Sequence, residues 1–271
     1  TPWVWVGRLG VLTGFVIMGF YMVVCGWTLD YIFQSLTGQL FTVKDYTANF
    51  VQLQENHLKQ ILLTLIFIAL TALFTLSGVR RGVEKSAKIF MPILFLLLII
   101  LGIRAVTLPG SSKGLAFLFM PEIKNVKSTV FLDAMGQTFF SLSIGMGCMT
   151  TYASYFRNDV NLTKTAVQVS VLDTLVAILA GVVIFPSAFA LTANPDTIIS
   201  DLVAGGPGLL FITIPQLFDQ MSLSVLWSTF FFVLLALAAI TSTISLMEVT
   251  TIYLQEEYRS SRKKATFLVC I

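Results

Sequence analysis

The stretch Gly136-Gln137-Thr138-Phe139-Phe140-Ser141-Leu142-Ser143-Ile144-Gly145-Met146-Gly147 decides the fold. It lies inside 23 uncharged residues between Asp133 and Arg157. A helix needs about 20 apolar residues to cross the hydrocarbon core of a bilayer, so the run is long enough to span. Yet the stretch packs three glycines and two serines near the middle of that run, and both residue types weaken a helix. The reading is a membrane helix over 131–156 that is broken near 141–146. A break at that depth exposes backbone amides and carbonyls, the groups that hold substrate and ions where helices are interrupted in a membrane. The alternative is close helix packing through small residues.

Outward from this stretch, the composition points to lipid as the solvent. Of 271 residues, 56% are hydrophobic and only 11% charged, against about 25% charged in a soluble domain. Mean hydropathy is +0.86. Disorder, a fibrous repeat and an ordinary soluble enzyme are all excluded by these figures. A net charge of +3 gives no reason to expect nucleic acid. The three cysteines, Cys25, Cys148 and Cys270, form no CxxC pair, and His57 is the single histidine. A disulfide framework, a histidine-based metal site and a Ser-His relay are therefore not expected.

Charges mark the ends of further spans. Uncharged runs of 21 residues separate Arg8 from Asp30, 20 separate Lys59 from Arg80, and 28 separate Asp219 from Glu248. The predicted spans are 9–29, 60–79, 88–108, 131–156, 165–190 and 221–252, with a seventh run, 265–271, that stops as it opens. Strands of a membrane barrel would be shorter and would alternate, so the fold class is an all-α polytopic membrane protein forming a single membrane domain over 1–271. Placing the 78–88 loop in the cytoplasm puts 11 of the 17 basic residues inside, among them Arg8, Arg80, Arg81, Arg157, Arg259, Arg262, Lys263 and Lys264. By the positive-inside rule the first helix then runs outward, and the outer segments are 30–58, 109–129 and 192–218. The apolar run Leu209–Ile214 in the last of these reads as a re-entrant or surface-lying hairpin. The first residue is Thr1 rather than Met, and the last run is cut short, so a fragment is expected.

Two other polar features lie at membrane depth. Asp173 is the one carboxylate in the run from Thr165 to Leu191. A charge there costs about 2.5 kcal/mol or more and is seldom kept without a partner or an ion; a structural partner or simple protonation are the plainer readings. Ala238-Ala239-Ile240-Thr241-Ser242-Thr243 carries hydroxyls that either bond their own helix or offer oxygens to a hard cation.

Taken together these residues resemble the neurotransmitter:sodium symporters, in their bacterial branch with the LeuT fold. The resemblance rests on Tyr21 with Cys25-Gly26-Trp27-Thr28-Leu29 and on Gly78-Val79-Arg80-Arg81-Gly82-Val83-Glu84-Lys85 followed by Ala87 to Pro92. It continues through the interrupted helix Gln137–Gly147, Thr151-Tyr152-Ala153-Ser154-Tyr155, Thr241-Ser242 and Glu256-Glu257. It implies a partial LeuT-like inverted-repeat transporter fold, aligned from the third helix to the start of the ninth. The broken first helix of the family would then lie outside this chain, which alone is not expected to transport.

The resemblance also implies roles. Tyr21 would donate to a substrate carboxylate, with Ile17 a turn earlier lining the pocket. Phe140 matches an aromatic lid, Ser141 a ligand of the first sodium that also borders the substrate, and Ser143 a backbone contact to the substrate amino group. Met146 stands at a pocket wall, either as a selective residue or as flexible filler, and Leu246 closes the pocket. The carbonyl of Ala238 and the hydroxyls of Thr241 and Ser242 match the second sodium site, with Ser242 also beside the substrate. Oxygen-only ligands suit a hard cation. Asp173 replaces a neutral amide found in many members, and Ala177 stands where chloride-dependent members carry a serine. Asp173 would supply both a sodium ligand and the compensating charge, so two sodium sites and chloride independence are expected. Gln137 would hydrogen-bond Asp173, and Tyr155 and Glu256 would close a cytoplasmic gate.

The expected function is sodium-coupled symport of a neutral, hydrophobic or aromatic amino acid by alternating access, in a multi-pass protein of the inner (plasma) membrane with lipid as its other partner. Proton-coupled transport on the same fold is the alternative. A non-transporting receptor or scaffold would have no use for polar groups at membrane depth. A membrane enzyme would need a catalytic set, and the chain carries no HExxH motif.

Overall fold

The computed structural model describes residues 3–78, 84–120, 129–156, 160–191 and 206–270. Helices dominate, and no strand occurs among the described residues. In lipid this follows from the backbone, because a helix satisfies its own amides and carbonyls without water. The long elements are α1 (Trp3–Leu36), α3 (His57–Leu76), α4 (Lys85–Val106), α8 (Leu162–Leu191) and α10 (Ser224–Tyr258). Each is long and apolar enough to cross a membrane. Between them lie α2 (Tyr46–Glu55), α5 (Ser111–Phe119), α6 (Thr129–Ser141), α7 (Cys148–Ala153) and α9 (Ile214–Asp219), with α11 (Arg262–Cys270) last.

Several helices outrun the charges that mark them in the sequence. α1 continues past Asp30 to Leu36, and α10 continues past Glu248 to Tyr258. Both carboxylates are buried, at 3% and 0% exposure. They belong to helix interiors rather than to span ends, because each has found a cationic partner. Lys59 Nζ lies 2.7 Å from Asp30, and Arg262 pairs with Glu248. The run from Leu209 to Thr213 is a turn of π-helix leading into α9, and its Phe211 is fully buried. Residues 79–83, 121–128, 157–159 and 192–205 lie outside the described residues. Arg80, Arg81, Arg157 and most of the third outer segment are among them.

Packing explains the order of the elements. α1 crosses α10 and α3 to form one layer, and α11 closes against α3 and α10. A second group joins α4 and α5 to α8, with α4 also against α10. Around Phe211 an aromatic cluster seals one end: Phe50 stacks on it at 5.4 Å between ring centroids, and Tyr31, Trp27 and Phe232 surround it. Asp45 caps α2 by accepting from the amides of Thr47 and Ala48. Asn56 caps α3 through the Lys59 amide, which fixes the turn between the two.

The contacts agree with alternating helix directions. The starts of α1 and α11 meet the ends of α10 and α3 through Arg8–Glu257 at 2.7 Å and through Arg262 Nε donating to the Thr75 carbonyl at 2.8 Å. At the opposite end, Ser35 on α1 meets Ser228 on α10 at 2.6 Å, and Asp30 meets Lys59. Arg8, Arg262 and the exposed Lys263 and Lys264 thus lie at one end, the end that the positive-inside rule would place in the cytoplasm.

Candidate functional site

The break is built by the chain's own termination chemistry. At the end of α6 the amide of Ile144 donates to the Phe139 carbonyl and that of Ser143 to Phe140, at 2.9 and 3.1 Å. This pair of reversed bonds is a Schellman end, and it needs a left-handed residue after the helix. Ser143 occupies that place at φ 54, a conformation that glycine usually supplies. The chain turns again through Gly145 and Gly147 at φ 82 and 78 before α7 starts at Cys148. At Gly147 a Cβ would also sit 2.9 Å from Val249 Cγ1. The interruption spans 142–147 and separates two helical halves.

Ser141, the last residue of α6, reaches across to α8. Its hydroxyl lies 2.8 Å from Asp173 Oδ1 and 2.7 Å from Oδ2. Asp173 is half-buried on α8, which answers how a carboxylate is kept inside an apolar helix: a hydroxyl at the helix break faces it. Gln137 is exposed on α6, and the hydrogen bonds to Asp173 come from Ser141 instead.

On α10 the Thr241 hydroxyl donates to the Ala238 carbonyl at 2.8 Å, and the Ser242 hydroxyl to the same carbonyl at 3.2 Å. Three oxygens therefore converge within one helical turn. They are backbone and hydroxyl oxygens only, a donor set that favours a hard cation over zinc or copper. Tyr21 on α1 lies beside Ser242, which brings α1 close to this set.

Below Tyr21 lies an apolar cluster that contains Ile17, Tyr21, Met146 and Leu246 together with Met18 and Met22. Gly14 lets the break approach α1, since a Cβ there would stand 2.9 Å from the Met146 carbonyl and 3.9 Å from Leu246. The expected pocket residues on α1, the break and α10 thus share one cluster. Phe140 does not join it and is 52% exposed.

A second polar assembly ties α7 to α10. Tyr152 and Ser245 hydroxyls meet at 2.8 Å, and one turn on, the Tyr155 hydroxyl donates to Glu248 Oε1 at 2.7 Å. Arg262 donates to the other oxygen of Glu248. The partner of Tyr155 is therefore Glu248, while Glu256 is exposed beside a cavity of about 290 Å³ that Arg8 and Glu257 also line. No site role is expected from sequence for Glu248, Arg262, Tyr152 or Ser245, although Glu248 and Arg262 serve as charges marking span ends and Tyr152 belongs to the matching motif. Glu248 carries a signal all the same: it stands seven residues from Thr241, two turns along one helix face, next to an apolar run.

Comparisons with known proteins fit this geometry. The sodium:neurotransmitter symporter family matches residues 41–271. A sodium-dependent transporter of Haemophilus influenzae is 36% identical over 272 aligned residues, covering 98% of this chain and 58% of the relative. The sodium-dependent transporter YhdH of Bacillus subtilis is 34% identical, with the same two coverages. The crystal structure of MhsT in complex with L-phenylalanine matches with a TM-score of 0.87 at 40% identity, covering all of this chain and 60% of that one. The chain spans less than two thirds of the length of each of these proteins.

Proposed function

As this chain belongs to the sodium:neurotransmitter symporter family, we propose that it forms part of a sodium-coupled symporter for a neutral, hydrophobic or aromatic amino acid. The observation that carries this reading is the contact of Ser141 with both oxygens of Asp173 at the helix break. A hydroxyl and a carboxylate held at membrane depth beside freed backbone groups are hard oxygen donors, and sodium is a hard cation. The Ala238, Thr241 and Ser242 oxygens would receive a second sodium. Both ions are cargo, moved with the substrate rather than retained.

The substrate class follows from the cluster of Ile17, Tyr21, Met146 and Leu246. Its surface is apolar except for the Tyr21 hydroxyl, which would hold the substrate carboxylate, while the Ser143 backbone would meet the amino group. MhsT was crystallised with L-phenylalanine, and phenylalanine is the first substrate to try here. Phe140, exposed at the end of α6, would fold over the bound substrate as a lid. Tyr155 with Glu256 would close the cytoplasmic side, Glu248 and Arg262 anchoring Tyr155 from α10 and α11.

Ion coupling acts by differential affinity: sodium drives uptake only if it binds the outward state better than the inward one. Asp173 would offer its carboxylate oxygens to the ion beside Ser141, and Ala177 one turn later has no hydroxyl to bind an anion. Chloride would then be dispensable. The test is uptake of radiolabelled L-phenylalanine by bacterial cells expressing the full-length protein that contains this chain, with sodium replaced by choline and, separately, chloride by gluconate. Loss of uptake in choline and retention in gluconate support the reading. Uptake that persists in choline but follows an imposed pH gradient favours proton coupling through Asp173.

A further inference from the structure

The inner halves of α1, α10 and α11 line an open cavity of about 450 Å³ that shares Arg8 and Tyr253 with the cavity beside Glu256 but contains none of the expected substrate or sodium ligands. Leu12 and Phe15 on α1 and Leu268 on α11 form apolar walls, and Arg8, Thr250 and Tyr253 line it as well. Two buried polar atoms in this lining have no hydrogen-bond partner among the described residues: Arg8 Nε and Thr250 Oγ1. Thr250 is only 8% exposed. Hydroxyls on membrane helices usually bond the carbonyl one turn back, as Thr71 and Thr75 do in this molecule. Thr250 does not, and a buried polar group left unpaired is unfavourable. Arg8 spends one amino group on Glu257, which leaves the Nε proton without an acceptor.

The order of groups along the cavity has a chemical meaning. Arg8 stands at the cytoplasmic end of α1. Thr250 lies about two turns deeper on α10 than Glu257, the partner of Arg8, and Phe15 lies about 10 Å deeper than Arg8 along α1. Cation, hydroxyl and hydrocarbon thus succeed one another from the membrane surface inward. At the same end of the molecule the chain carries exposed Arg259, Lys263 and Lys264 against Glu256 and Glu257, so the balance of charge there is positive. We infer that the cavity between α1, α10 and α11 is a site for an anionic phospholipid of the cytoplasmic leaflet. The phosphate accepts from Arg8, an ester carbonyl accepts from Thr250, and one acyl chain runs along Leu12, Phe15 and Leu268. The attraction of anionic lipid to basic residues at a membrane surface supplies the selectivity.

The experiment is native mass spectrometry of the detergent-purified protein, titrated with phosphatidylglycerol or with phosphatidylcholine of the same acyl chains. The expected result is about tenfold stronger retention of phosphatidylglycerol, as a charge-assisted contact gives. Leu12→Trp, which fills the cavity and leaves every charge in place, abolishes the retained lipid, and Arg8→Gln removes the headgroup preference. Thr250→Val, which keeps the shape, weakens retention of both lipids, so the idea stays testable if Arg8→Gln fails to fold. Equal retention of the two lipids, phosphatidylglycerol undiminished in Leu12→Trp, or polypeptide filling the cavity in a structure of the protein in nanodiscs would each overturn it.

Discussion

Asp173 is held in place by a single hydroxyl that meets both of its oxygens, so the pair is sensitive to small changes. Asp173→Asn keeps the shape but removes the charge. It should abolish sodium stimulation of uptake while leaving folding intact, as read by sodium titration of transport alongside size-exclusion chromatography. Ser141→Ala should raise the sodium concentration for half-maximal uptake about tenfold, the loss of one contact to a charged group. Glu248 makes a different kind of prediction. It is fully buried, and Arg262 and Tyr155 are its partners. Removing one member of a buried ion pair strands the other and costs roughly 3–5 kcal/mol. Arg262→Gln should therefore lower the thermal unfolding midpoint sharply, and adding Glu248→Gln should restore part of the loss, the coupling being read from a double-mutant cycle.

At the scale of elements, the interruption between α6 and α7 depends on left-handed backbone at Ser143, Gly145 and Gly147. A side chain in that conformation costs about 1–2 kcal/mol, and at Gly147 it would also collide with Val249. Gly147→Ala should reduce both unfolding temperature and uptake. Gly136, with open space where a Cβ would stand and an ordinary helical place in α6, should accept alanine without loss, measured side by side. The break itself was legible because glycine and serine are conspicuous in an otherwise apolar span. The nearness of Ser141 and Asp173 was implied only by the family resemblance, which makes both ligands of one sodium and gives the hydrogen bond of Asp173 to Gln137. The pairing of Tyr155 was not legible: 93 residues separate it from Glu248, and nothing in spacing sets the rotation of α7 against α10. The same cause hid Asp30 and Glu248. A charge at the edge of an apolar run looks like a helix end, and only a partner from another helix, Lys59 or Arg262, shows that the helix goes on.

Across the whole molecule, the charged contacts join helix starts and ends that belong on one face of the membrane. Arg8 with Glu257 and Arg262 with Glu248 gather on one face, and Asp30 with Lys59 on the other. The basic residues led to an expectation of alternating helix directions, whereas the layering of α1 on α10 and of α8 on α4 and α5 was not legible, because lipid-facing and buried apolar residues look alike in sequence. The orientation predicts that a cysteine placed at Lys113 reacts with an impermeant maleimide from outside the cell, and one placed at Arg259 reacts only after permeabilisation. The central claim is sodium coupling at the break. The full-length protein that contains this chain, in sodium-free proteoliposomes and given radiolabelled L-phenylalanine and an inward sodium gradient with gluconate as the only anion, should accumulate the amino acid above its external concentration, and its Asp173→Asn variant should not. Accumulation that is the same with potassium in place of sodium, or unaltered in Asp173→Asn, would contradict it.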